Sequence, residues 1–256
     1  MPTERTLRRL LHLRIVRPPG DSEPRESRPG VVEVRPVVDG RDLLADTTSR
    51  FRGVSPRHLL DPDEMPLHAG AVPHEVRLAG GGCGEESCCG ALYVTVQQDG
   101  YDVVWAGWRD PADPGLRLPD LRFDAEQYAT EVRRATADRA WEWPACAVAR
   151  LLEAALRRRA DWLARWECEL EAVQAARHEP DRIHVVLMHP GIAPEPGRPW
   201  LQFGLTLPVD DHDPARQAAR LEARLTAGDP RVVAEVWGGS WDAERLGYPW
   251  PPTPPE

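Results

Sequence analysis

The sequence predicts an α+β fold, with an antiparallel, β-rich N-terminal half and a C-terminal half built on a long helix and a small sheet. Three observations predict it. Leu92, Val94 and Val96 alternate with Tyr93 and Thr95, Asp99-Gly100 intervenes, and Val103, Val104 and Trp105 follow, which is the pattern of a hairpin. Val148, Leu152, Leu156, Leu163, Trp166, Leu170 and Val173 recur at helical spacing. Beyond residue 180 the chain reads strand, strand, helix, strand.

Taken in order, residues 7–16 and 31–38 are apolar and β-branched enough for two paired strands, separated by the loop PPGDSEPRESRPG. Residues 37–44 and 97–104 share the form of an Asp-Gly turn; because Asp-Gly is the favoured hairpin pair, the match is read as coincidence rather than duplication. From 47 to 82 the chain is loop-like, with Pro56, Pro62, Pro66 and Pro73, save for a short strand at 75–78. The stretch RDPADPGLRLPDLR then marks a boundary between a β-rich subdomain, 1–110, and an α+β subdomain, 111–256, within what is read as either two domains or one continuous domain. Asp124, with Gln127 three positions on, caps a helix reaching about Arg139. Pro144 suits the first turn of the long helix, 144–177. On such a helix Cys146 and Cys168 would lie about 33 Å apart and could not bond. Strands follow at 182–188 and 200–207, then a helix at 214–227 with Asp213 as cap and Gly228 as stop, then a strand at 231–237. The tail, GYPWPPTPPE, is extended, with Trp241, Tyr248 and Trp250 expected to pack back on the body.

The 256 residues carry a net charge of −9, which suits neither nucleic acid nor an anionic membrane. No lysine and no asparagine occur, and isoleucine is confined to Ile15, Ile183 and Ile192, a pattern of a GC-rich genome. The chemical consequences are firm. Without lysine there is no Schiff base, no phosphate-binding P-loop and no conventional kinase. Without asparagine there is no N-glycosylation acceptor. No apolar run approaches a membrane span, and the first residues lack a signal-peptide core, so a cytoplasmic protein is expected. The five unevenly spaced cysteines read there as free thiols or metal ligands.

One loop invites a chemical reading. Cys83-Gly84-Glu85-Glu86-Ser87-Cys88-Cys89-Gly90 is framed by Gly80, Gly81 and Gly82, and glycines beside cysteines let backbone N–H groups turn toward sulfur. Zinc prefers thiolate and imidazole, so the candidate metal ligands are Cys83, Cys88, Cys89 and His74. The spacing C-x4-C-C differs from the usual C-x2-C pair, and the competing reading is a small core of cysteines under a glycine turn. A thiol enzyme at the same loop would need a depressed cysteine pKa, which Glu75, Glu85 and Glu86 oppose. Asp210, Asp211 and Asp213 precede a helix, where capping accounts for them. No G-x-S-x-G, H-E-x-x-H or strand-helix G-x-G-x-x-G occurs, so no catalytic residue is assigned.

The residues from Val76 to Leu78, the Cys83-Gly84 and Cys88-Cys89-Gly90 loop, the strand at 92–96 and Val103-Val104-Trp105 resemble uncharacterised proteins of GC-rich bacteria. In those a Cys-Gly loop precedes a hairpin ending in V-x-W or V-V-W. The resemblance spans residues 73–108 and implies no activity. The leading functional expectation is a protein-interaction module, immunity- or regulator-like, since ten tryptophans and an acidic charge suit a basic or apolar partner surface. The alternative is a metal-dependent or thiol enzyme at the Cys83, Cys88, Cys89 loop. A third reading is a nucleic-acid binder using Arg157, Arg158, Arg159 and Trp162, set against a solvated helix face.

Overall fold

The computed structural model describes residues 7–17, 32–47, 51–81, 86–191 and 197–248. It is α+β, and it divides into two compact units, Met1–Trp141 and Glu142–Glu256.

The first unit runs β1 (Arg8–Arg9), β2 (Leu11–Val16), β3 (Glu33–Val38), β4 (Arg41–Asp42), α1 (Leu43–Thr47), β5 (Arg52–Gly53), α2 (Pro56–Leu59), β6 (His74–Gly80), α3 (Glu86–Cys89), β7 (Ala91–Asp99), β8 (Asp102–Arg109), β9 (Leu121–Asp124) and α4 (Ala125–Ala137). Six strands form one sheet in the order β1-β9-β8-β7-β6-β5, and β2-β3-β4 form a second. The expected strand at 7–16 is therefore split at Leu10. Its N–H donates to Asp39 Oδ1 at 2.8 Å and its carbonyl accepts from Asp39 N at 3.0 Å, so the chain leaves one sheet there and enters the other. The pairing of β2 with β3 is antiparallel, as expected.

The two Asp-Gly turns differ. Val38 pairs with Arg41, and the central residues Asp39 and Gly40 both have positive φ, the type I′ pattern. In the second hairpin Asp99 is itself paired, with Asp102, and the turn is Gly100-Tyr101, with positive φ at Gly100 alone, the type II′ pattern. The shared letters are thus offset by one residue, and no duplication follows.

Within the expected loop 47–82, the described residues 51–81 are more ordered than a loop. Leu59, Leu60 and Leu67 enter the core made by Leu11, Leu13, Val76, Leu78, Val94, Val96, Trp105 and Phe123. Trp105 donates its indole N–H to the Tyr128 hydroxyl at 3.2 Å, and that hydroxyl donates to Leu67 O at 2.8 Å. Two- and four-residue elements such as β5 and α2 are too short to leave a periodic signal. The division between units falls after Trp141 rather than after residue 110, because β9 pairs with both β8 and β1 and carries α4 into the first unit.

The second unit runs α5 (Pro144–Arg157), α6 (Ala160–Arg165), β10 (Glu169–Gln174), β11 (Arg182–His189), β12 (Leu201–Pro208), α7 (Pro214–Thr226) and β13 (Glu235–Gly238). The expected helix 144–177 is a correction: it breaks after Arg157, and its last third is a strand. The reason is a β-bulge. Leu170 pairs with Leu187 and Val173 with Val185, but the register shifts between Leu170 and Ala172, so two residues three apart both face the core and imitate helical spacing. Cys146 and Cys168 consequently do not share a helix; both are buried and free. The strand expected at 231–237 is shortened likewise, since Asp229 accepts from Arg231 N and starts a tight turn over Pro230–Val232.

The sheet order is β10-β11-β12-β13, all antiparallel. Its inner face, with Ile183, Val185, Leu187, Phe203 and Leu205, packs on Val148, Leu152 and Leu156 of α5 and on Leu221 and Leu225 of α7. Asp213 caps α7 by accepting from Ala215 N and Arg216 N, as the sequence implies.

Candidate functional site

The cysteine loop lies at one end of β6. Cys83 falls outside the described residues. Cys88 is free and exposed; Cys89, beside it in α3, is half-buried and held in a disulfide. Neither described cysteine fills a core. The loop is drawn tight where Gly81 N donates to Gly90 O at 2.8 Å, and a Cβ on Gly81 would lie 2.2 Å from Cys89 O. The Glu86 carboxylate accepts from the Tyr93 hydroxyl at 2.8 Å and pairs with Arg77 at 3.3 Å. His74 begins β6, with Nε2 2.8 Å from Pro66 O, whereas Gly80 at the other end leads into the loop. Six residue steps of strand separate them, about 20 Å at about 3.3 Å per step. Among the described residues no three His, Cys, Asp or Glu side chains gather to hold a metal.

The second unit presents a different kind of surface. Along β11 Ile183, Val185 and Leu187 point to the core, so His184, Val186 and Met188 point to the outer face. The same alternation places Gln202, Gly204 and Thr206 of β12, and Glu235 and Trp237 of β13, on that face. Trp237 dominates it. A Cβ built on Gly204 would stand 1.9–2.3 Å from three atoms of the Trp237 ring, so the indole lies directly across the glycine. Gly204 sits within a strand that pairs on both sides, and its lack of a side chain is what seats the ring.

Trp237 as a whole remains 41 % exposed. Its Nε1–H donates to Glu235 Oε2 at 3.3 Å, and the His184 ring stands 5.6 Å away, tilted by 59°. His184 is fixed in turn. Nε2 donates to the Glu179 carboxylate at 2.8 Å, and Nδ1 lies 3.1 Å from Thr206 Oγ1. The hydrogen bond from His184 holds the Glu179 carboxyl below its ordinary range. Gln202 Nε2 donates to Glu171 Oε2 at 2.7 Å, bridging over β11, on which Val186 and Met188 are buried.

Comparison with family models, curated proteins and solved structures returns no match. Geometry therefore carries the functional argument alone.

Several of the remaining sequence candidates have partners within the fold. Trp162 is buried and donates its indole N–H to Gly228 O at 3.0 Å; Arg157 pairs with Glu153 and Arg159 with Glu222, each at 2.8 Å. Asp211 accepts from Arg216 at 2.6 Å and from Asp213 N at 2.9 Å, and these bonds hold its carboxyl far below the usual range. Burial pushes the Cys168 thiol up to about 11, the opposite of an activated nucleophile. Tyr248 packs back on Phe203, with ring centroids 5.1 Å apart, whereas Trp241 stands exposed beside Trp200; Trp250 lies outside the described residues. Among the described residues no helix is long and apolar enough to cross a membrane. The Trp237 face escaped the sequence reading. Its one signal was a glycine, Gly204, inside an alternating strand.

Proposed function

We propose that the chain is a protein-interaction module, immunity- or regulator-like, that binds its partner through the outer face of the β10–β13 sheet. The observation that supports this is Trp237, half-exposed and seated on Gly204. A solvent-facing tryptophan whose position is preset by packing loses little conformational freedom on binding, which is how buried anchors of interfaces work. Val232, Val233 and Trp241, close to Trp237 in the sequence, are exposed apolar side chains too. The charge of −9 favours a basic partner. Chemistry at the cysteine loop draws less support, because Cys89 is in a disulfide and His74 lies at the far end of its strand.

Capture from the native cell extract tests the proposal, run in parallel with the unaltered chain, Trp237→Ala, and Tyr101→Ala as an exposed aromatic of the first unit. A protein retained by the unaltered chain and Tyr101→Ala but lost with Trp237→Ala is the expected result. Retention by all three, or by none, would overturn it.

A further inference from the structure

We propose that Trp237 and Glu235 form a receptor for one guanidinium group, presented by an arginine of the partner protein. The inference rests on the interaction reading above and adds the chemistry that the face recognises.

The chain builds the same arrangement internally. The Arg109 guanidinium lies 4.1 Å from the centre of the Tyr93 ring and is bonded to both oxygens of Glu75, at 2.9 and 2.7 Å. Arg231 lies 5.7 Å from the Trp166 ring and is bonded to both oxygens of Asp229. Each is an arginine over an aromatic face with a carboxylate at its edge. Trp237 and Glu235 supply the ring and the carboxylate, and among the described residues no arginine is seated over Trp237.

The physics favours a cation there, and a planar one. The open face of an indole attracts positive charge, and the closed face is already filled by Gly204. Glu235 at the ring edge adds negative field there. A guanidinium can stack flat on the ring and still direct its fork of N–H donors at a carboxylate; an ammonium can do only one of these well. The His184 ring walls one side of the position.

The test uses the intact 15N-labelled chain and blocked Gly-Xaa-Gly peptides, with Xaa arginine, lysine or citrulline, the last being the neutral isostere of arginine. The readout is the Trp237 indole N–H resonance, assigned with Trp237→Phe. The arginine peptide is expected to shift it saturably, with lysine weaker and citrulline weaker by about fivefold or more. Glu235→Gln, which keeps the side chain's length, is expected to weaken the arginine peptide by about two- to fivefold. Citrulline binding as well as arginine, an undiminished arginine response in Glu235→Gln, or no saturable shift would overturn the inference. If that happens while Trp237→Ala still abolishes capture of the partner, the interaction reading stands alone; if capture is also indifferent to Trp237, both fall.

Discussion

The Glu131 carboxylate in α4 accepts a hydrogen bond from the backbone N–H of Leu13 in β2 at 2.6 Å. It is one of a row. Gln127 Nε2 donates to Leu11 O at 2.7 Å and Arg134 Nη2 donates to Leu13 O at 2.8 Å, so one face of α4 satisfies the edge of β2 that β3 leaves unpaired. Edge strands invite pairing with other chains, and here side chains take the place of a further strand. Replacing Glu131 with Ala leaves a buried N–H without an acceptor and is expected to cost about 1–3 kcal/mol, read from denaturant unfolding.

The same residue makes stability depend on pH. Burial pushes the Glu131 carboxyl up, but hydrogen bonds from Arg134 and from the Leu13 N–H, with the charges of Arg134 and His12, outweigh it and hold the group below its ordinary 4.5. A depressed folded value means that the contribution is complete above 4.5 and is lost as pH falls below it toward the folded value. The stability difference between the unaltered chain and Glu131→Gln should therefore shrink as pH falls below 4.5. A difference that grows on acidification would contradict the assignment.

Gly204→Ala should lift Trp237 off the sheet. The new methyl would occupy the space of the ring, and a half-exposed indole moves more readily than two paired strands. The expected signs are a changed Trp237 indole resonance and a loss of about 1–3 kcal/mol from overpacking. An unmoved resonance would show that the ring does not rest on the glycine.

Tyr128→Phe removes one hydroxyl and two bonds. The buried Trp105 N–H loses its acceptor and Leu67 O its donor, so the substitution should cost about 1–3 kcal/mol despite conserving nearly all apolar contact. Thermal unfolding against the unaltered chain measures it, and a neutral result would mean that water replaces the hydroxyl.

Thiol labelling separates the cysteines. In the native chain Cys88 should react with a thiol reagent promptly, Cys146 and Cys168 only after unfolding, and Cys89 only after reduction. Peptide mapping assigns each label. If Cys89 labels on unfolding without reductant and zinc is released at the same time, the loop is a metal site and the disulfide assignment fails.

Much of this architecture was legible in the residues because its causes are local. Asp124 and Asp213 each cap the helix that they precede, the alternation of 92–96 and 103–105 forms β7 and β8, and the absence of lysine leaves arginine and histidine as the only side chains that can supply a cation to an ion pair. Tertiary structure decided what local pattern could not. Leu170 and Val173 read as helix until the bulge in β10 and its pairing with β11 are known, because spacing by three serves both. Gln127 reads as half of a capping box, yet its side chain goes to Leu11, 116 residues away. The candidate site has the same origin: Gly204 and Trp237 lie on separate strands, and only the pairing of β12 with β13 brings a missing side chain under a large one.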